Sequence, residues 1–270
     1  MLPEARGRDL LYVASNDDAV NVYTYPSGKL VGSLGTFNGA GGLCVDKTGD
    51  IFISSFYDHA VYEYAHGGTK QLAVLGSPYS VNACSVDPNT QNVAAASYFG
   101  AIIFPSHRKH GYGFGKYYKD SAVKYGAYCS YDDRGDLFMD GTGQSSGFAM
   151  SELPKDSKSF ESITLDASIN GPGAMQWKGK TLTVADRGYG PGESAIIYRF
   201  TIEDGAGREV SQSVLQGSSA YAQFWVQGDS VIGPESGSEA GIGVWNLAMG
   251  GPPNRTIAGA PPYGVVVSLK

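Results

Sequence analysis

The sequence predicts an all-β fold, a six-bladed β-propeller with four antiparallel strands in each blade, and three observations carry that prediction. The first is a recurring phrase that starts with a small residue, continues as an alternating apolar strand and ends in a Gly, Pro or Ser turn. Its copies are "AVNVYTYPSG" at 19–28, "AVYEYAHGG" at 60–68, "AIIFPSH" at 101–107, "GFAMSELPKDS" at 147–157, "AIIYRFTIEDG" at 195–205 and "GIGVWNLAMGG" at 241–251. Their starts are separated by 41, 41, 46, 48 and 46 residues, and the step from the last copy through both termini to the first is 48. A period of about 40–50 residues that closes on itself marks sheets repeated round an axis. The second observation is a hairpin written three times, "GLCVDKTGDIFISS" at 42–55, "ACSVDPNTQNVAAAS" at 83–97 and "YCSYDDRGDLFMDG" at 128–141. The third lies at the ends. The chain opens on a second strand, "RDLLYVAS", and supplies the missing inner strand last, as "YGVVVSLK" at 263–270.

Each unit is read in order. An inner strand such as 42–46 turns at Asp and Gly into a second strand, 50–55, and a loop leads to the recurring phrase as the third strand. A turn then leads to an outer strand, "KLVGSL" at 29–34, "KQLAVL" at 70–75 or "SITLDA" at 162–167. Arg134-Gly135, Lys178-Gly179 and Gln227-Gly228 are turn dipeptides in which glycine takes φ > 0. The whole of 1–270 reads as one domain, with the closing blade assembled from about 8–34 plus 263–270. Sharing that blade between the termini removes the open edge that an arc of sheets would expose. A β-sandwich would also show short strands and turns, and a seventh blade would need one more unit. The cyclic count selects six.

Composition agrees and excludes other classes. The 38 glycines are about twice the usual share, and charged residues, at 17%, fall below the usual quarter. Eighteen tyrosines and eleven phenylalanines suit pleated surfaces. A net charge of −6 argues against nucleic acid, whose binding needs a basic surface. No apolar run is long enough for a membrane span, so a soluble monomer is expected. The N-terminus shows no signal peptide, and a leader removed by secretion would leave the same picture. Cys44, Cys84 and Cys129 form no metal-ligand spacing, and three cysteines cannot all pair internally. They read as small buried hydrophobes. Cys84 and Cys129 hold matching positions in neighbouring repeats, which leaves a bridge between those two open.

The inner hairpin Gly42-Leu43-Cys44-Val45-Asp46 followed by Gly49-Asp50-Ile51-Phe52-Ile53 resembles the NHL repeat. Phrases such as "YPSGKLVG", "VYEYAHGGTK" and "CSVDP" make the chain similar to uncharacterised bacterial propeller proteins. The resemblance implies the fold and says little of activity. More distantly, six-bladed gluconolactonase and paraoxonase propellers hold calcium on the axis, from residues at the starts of inner strands. The corresponding positions here, five before the hairpin Asp, are Gly41, Asn82, Ala127, Gly173 and Ala222. Only Asn82 suits a ligand, so that metal pattern is not repeated.

The binding surface of such a ring is the funnel at one end of its axis, lined by loops between second and third strands. These loops carry Asp17, Asp18, Asp58, Asp140, Asp186, Glu235 and Glu239, with Phe56, Tyr57, His59, Tyr98, Arg187 and Tyr189. The expected ligand-binding set is Tyr57, Tyr98, Asp140, Asp186, Arg187, Tyr189 and Glu235. Asn82, Asp186 and Glu235 are candidate ligands for calcium, a hard cation that takes six to eight oxygens and polarises carbonyl or phosphoryl groups. Asp58 and His59 are the candidate catalytic pair, the carboxylate raising the imidazole pKa so that it serves as a general base. The plainer reading of each acid is a turn cap that accepts backbone N–H groups. The basic, aromatic stretch "SHRKHGYGFGKYYKD" at 106–120 falls on a turn and an outer strand, where lysines commonly guard an edge. The leading functional expectation is binding of a small molecule or peptide in this acidic, aromatic funnel. The alternatives are a hydrolase acting there on esters, lactones or phosphoesters, with or without calcium, and a non-catalytic structural repeat protein.

Overall fold

The computed structural model describes residues 3–15, 18–106, 112–187, 194–218, 223–235, 241–259 and 262–270. Among them lie 24 strands, numbered in chain order, and one 3-10 turn at Pro3–Ala5. No helix among the described residues is long and apolar enough to cross a membrane.

The two ends of the chain meet. β24 (Pro262–Ser268) pairs antiparallel with β1 (Leu10–Ser15), which continues to β2 (Val20–Thr24) and β3 (Leu30–Leu34). A second run is β4 (Ala40–Val45), β5 (Ile51–Ser55), β6 (Ala60–Tyr64) and β7 (Gln71–Gly76). A third is β8 (Val81–Val86), β9 (Val93–Ser97), β10 (Gly100–Phe104) and β11 (Lys116–Lys119). Each of these is a separate four-stranded sheet. Of the basic stretch, Lys116 and Lys119 lie on the rim strand β11, while His107, Arg108, Lys109 and His110 lie outside the described residues.

The remaining strands repeat the order as β12 (Val123–Tyr131), β13 (Leu137–Gly143), β14 (Phe148–Leu153) and β15 (Glu161–Leu165). Next come β16 (Pro172–Lys178), β17 (Thr181–Asp186), β18 (Ala195–Glu203) and β19 (Ala206–Leu215). The last run is β20 (Trp225–Gln227), β21 (Ser230–Glu235), β22 (Gly241–Asn246) and β23 (Gly250–Ala258). Here the expectation of separate sheets is corrected. Parallel bridges join the rims at Thr164–Ala206, Leu165–Gly207 and Leu215–Gly251, which merges these strands into one 12-stranded sheet. Strand length is the reason. β19 runs ten residues, longer than any other strand, and its ends reach the rim strands on both sides.

The period-2 alternation of the second strands sends successive side chains into different cores. Leu10, Tyr12 and Ala14 of β1 pack with Leu43, Ile51 and Ile53, while Leu11 and Val13 pack with Ile232, Ile242 and Val244. The same division recurs in β5, β9 and β13: Phe52 meets Val93 and Ile102, Ala94 and Ala96 meet Leu137 and Met139, and Phe138 meets Leu182 and Val184. The second strands are therefore buried on both faces, with every residue of β5 and β9 buried, while the rim strand β7 is mostly exposed. Sheets stacked face to face on both sides demand such near-continuous apolar strands. Each buried Leu, Ile or Phe contributes roughly 1.5–3 kcal/mol.

The cysteines correct another expectation. Cys44 is bridged to Cys84, 40 residues on, with Cα atoms 5.6 Å apart, and Cys129 is a buried free thiol. The three lie on the adjacent inner strands β4, β8 and β12, so Cys84 has a cysteine-bearing strand on each side. Its side chain turns back toward the preceding run, where Sγ also contacts the Phe52 carbonyl at 3.6 Å. A Cys84–Cys129 bridge is excluded because Cys84 is already used.

Candidate functional site

Inner strands of successive runs stand side by side, β24 against β4, β4 against β8, β8 against β12 and β12 against β16. Polar side chains join them. Asn82 Nδ2 donates to the Gly126 carbonyl at 2.6 Å, Ser85 Oγ accepts the Tyr131 N–H at 2.9 Å, and Ser130 Oγ accepts the Trp177 N–H at 2.8 Å. Gln176 brackets Val226, accepting from its N–H at 2.7 Å and donating to its carbonyl at 3.2 Å. Gln223 reaches past β24 to Leu43 in the same way, and it can do so because residue 264 is glycine. A Cβ there would lie 2.4 Å from the Gly41 oxygen and 2.9 Å from Gln223 Oε1.

This clamp lies between two cavities. On one side is a space of about 200 Å³ lined by Cys44, Cys84, Cys129, Met175, Trp177 and Trp225. On the other is an open cavity of about 520 Å³ at the starts of the inner strands. Gly41, Asn82 and Ala127, three of the positions tested for metal ligands, all line the larger one. Gly173 lines a different, smaller space, and Ala222 lies outside the described residues.

Aromatic rings dominate the mouth of the larger cavity. Phe56 and Tyr57, from the β5–β6 loop, are pinned by backbone bonds to the Gly39 and Asn38 carbonyls at 2.9 and 3.0 Å. Gly39 has φ of 80°, and a Cβ on it would stand 2.8 Å from Tyr57 Cδ2. The Tyr57 ring thus leans on bare backbone, yet it is 67% exposed. Rings continue round the mouth in edge-to-face contact: Tyr57 to Phe56 at 5.0 Å, Phe56 to Tyr98 at 6.2 Å and Tyr98 to Tyr125 at 5.3 Å. Phe99 adjoins Tyr125 at 6.4 Å, and Tyr263 of β24 lines the cavity as well. Tyr98 braces the arc from behind, its carbonyl accepting from the Tyr117 hydroxyl at 3.0 Å.

The carboxylates behave differently from the acidic funnel the sequence suggests. Asp18 lines the cavity, but its Oδ1 accepts the Gly39 N–H at 3.0 Å. Asp58 takes the Ser55 hydroxyl at 2.7 Å and the Asn38 N–H at 3.0 Å. Desolvation would raise the Asp58 pKa, but the hydrogen bonds from Ser55, Asn38 and Tyr62 outweigh it and hold the group below the usual carboxylate value. His59 is exposed, in a left-handed conformation with φ of 53°, and its Nε2 meets Ser80 Oγ at 3.2 Å. Neither Asp58 nor His59 is among the residues lining the cavity. Asp186 accepts the Asn170 N–H at 2.9 Å, the Asn170 side chain at 3.1 Å and the Gly171 N–H at 3.0 Å, and so caps the turn entering β16. Glu235 accepts the Thr256 hydroxyl.

Asp140 is fully buried behind the wall. Its Oδ1 accepts the Tyr128 N–H at 3.0 Å, and Oδ2 meets no donor among the described residues. Burial pushes its pKa well up, opposed by the Tyr128 N–H and the charge of Arg187. Burial and the Asp140 carboxyl push the Tyr128 hydroxyl up to about 12, so it stays a donor. Arg187 and Tyr128 both line the cavity. Tyr189, Asp17 and Glu239 lie outside the described residues. Of the calcium candidates only Asn82 reaches the cavity, and among the described residues no three His, Cys, Asp or Glu side chains are placed to hold one metal ion.

The structure thus brings Tyr57, Asn82 and Arg187 together, with Tyr98 behind, and sends Asp58, His59, Asp186 and Glu235 to other tasks. Sequence reasoning missed Tyr125, Tyr128 and Tyr263. Their signal was legible: they flank the inner-strand start in "KYGAYCSY" and "YGVVV", the positions that face the axis.

No family model matches this chain, and no curated protein matches it. Solved structures do resemble it. A nidogen/laminin complex superposes with TM-score 0.74 at 10% identity, covering 97% of this chain and 99% of the other. A protein of unknown function from Bacteroides caccae gives 0.69 at 12% identity, covering 97% and 99%. Kuenenia stuttgartiensis hydrazine synthase gives 0.57 at 14% identity over 78% and 67%. What the chain shares with them is the fold: it is an all-β, propeller-like protein.

Proposed function

We propose that residues 1–270 form a single six-bladed propeller whose axial mouth binds a small molecule or peptide. The four-strand order repeated from β24 through β23, and the apolar clusters packed between successive runs, support the blade count. The merged 12-stranded sheet is then three blades stitched at their rims. The observation that carries the binding function is Tyr57, a ring left 67% exposed while its backbone and its glycine support hold it still. Concave sites with aromatic walls and a few fixed polar groups are where small ligands bind.

The test is a thermal-shift screen of metabolites and short peptides, repeated on Tyr57→Ala. Ligands that raise the melting temperature of the wild type, but not of a Tyr57→Ala protein that melts normally by itself, support the mouth as the site. Ligands that stabilise both proteins equally place binding elsewhere and remove the reading.

A further inference from the structure

We infer that the ligand is a neutral oligosaccharide, a chain of uncharged pyranose rings that starts in the axial cavity and runs out over its rim. This rests on the mouth being a binding site and names what it takes.

The placing of exposed rings comes first. Six large aromatic side chains are exposed among the described residues. Five of them, Tyr57, Tyr79, Phe99, Tyr125 and Tyr263, stand at one end of the sheets, where second strands finish and inner strands begin. Single apolar side chains scattered over a surface are ordinary, but a group gathered on one face marks a contact site. Tyr57, Tyr125 and Tyr263 line the cavity. Phe99 carries the surface outward from Tyr125. Tyr79 carries it further, 5.2 Å from the ring of Tyr117, whose hydroxyl holds the Tyr98 carbonyl. A ligand that covers all five is longer than the cavity, so it is a chain.

The chemistry of the contacts selects the kind of chain. The atoms of Tyr57 nearest the place a Gly39 Cβ would take are Cδ2 and Cε2, one edge of the ring, so a face stays open for stacking. A pyranose offers a flat C–H face to such a ring and hydroxyls round its own edge. Asn82 commits its Nδ2 to the Gly126 carbonyl and keeps Oδ1 as an acceptor, which calls for a donor on the ligand. Sugar hydroxyls supply that donor, and the hydroxyls of Thr142 and Tyr128, also in the cavity wall, donate or accept in return. A proline-rich peptide also lays flat faces on aromatic grooves, but its prolines have no N–H to give. Charge is not called on, because Arg187 lines the cavity but is already partnered within the protein.

The experiment is calorimetric titration with cellopentaose, with laminaripentaose, with glucose and with an octaproline peptide. The expected result is that a pentasaccharide binds with Kd below about 1 mM and at least about tenfold tighter than glucose. That Kd should change less than about twofold between about 20 and about 500 mM NaCl, because no charge is screened. Tyr57→Ala should weaken the pentasaccharide about fivefold or more. Tyr79→Ala and Phe99→Ala, outside the cavity along the chain, should weaken it as well, and they carry the test should Tyr57→Ala melt early. Octaproline binding that Tyr57→Ala abolishes, with no sugar bound, overturns the oligosaccharide and leaves the binding site standing. Glucose bound as tightly as the pentasaccharides overturns the chain. Sugar binding that none of the three variants alters overturns both the oligosaccharide and the mouth as its site.

Discussion

Gln223 clasps the backbone of a single residue past strand β24: its Oε1 accepts the Leu43 N–H at 2.6 Å and its Nε2 donates to the Leu43 carbonyl at 2.7 Å. The two residues are 180 apart in sequence, and Gln223 is itself buried. Cutting it to alanine leaves a donor and an acceptor without partners in a dry place, at about 1–3 kcal/mol for each group. We therefore expect Gln223→Ala to lower stability by about 2–4 kcal/mol in urea unfolding. Gly264→Ala, which drives a Cβ into the same clamp, should cost about 1–3 kcal/mol. The pair should combine less than additively, because each breaks the same contact.

Glu63 sets a pH dependence. Burial, and then the charges of Asp50 and Asp46, raise its pKa from 4.5 to about 7. The folded state therefore holds a proton that the unfolded chain gives up, so this group favours folding below pH 4.5. That contribution is lost as pH rises toward 7. The side chain is only half-buried, and solvent reduces the effect to about 1–2 kcal/mol. Glu63→Gln should accordingly raise the melting temperature at pH 8 and change it little at pH 4.5, measured against the wild type at each pH.

Cys44–Cys84 closes a 40-residue loop. Chain entropy assigns such a crosslink about 3–4 kcal/mol, so the Cys44→Ala, Cys84→Ala double variant should lose about that much in chemical denaturation. Cys129 is buried, and burial pushes its thiol up to about 12. Peptide mapping should find 44 linked to 84, and iodoacetamide should reach Cys129 only after unfolding.

Asp186 is 2% exposed, and the amides of Asn170 and Gly171 bond to it. Asp186→Ala should destabilise the protein by about 2–4 kcal/mol. Asp58→Asn, at an exposed loop, should cost less than about 1 kcal/mol. Equal losses from the two would show that the buried cap carries no more than the exposed one.

Much of this fold is legible in the sequence. The spacing of the recurring phrase and the alternation of residues such as Leu10 to Ala14 are short-range properties. They report which positions enter a strand and which lie between sheets, and the matching termini placed β24 beside β1. The site was legible in part. Tyr57 and Arg187 announce themselves as large side chains on loops, but the direction of a carboxylate does not, because a turn amide and a ligand are equally good partners for Asp58 or Asp186.

By itself, then, the sequence determined an all-β repeat and the order of its strands, because strand period and turn chemistry act over a few residues. Tertiary structure alone decided that Cys84 pairs with Cys44 and not Cys129. It also decided that the acids serve loops, that β19 stitches neighbouring rims, and that Gln223 reaches Leu43. In each case the repeat offers several equivalent partners, and only the packing of one sheet against the next selects among them.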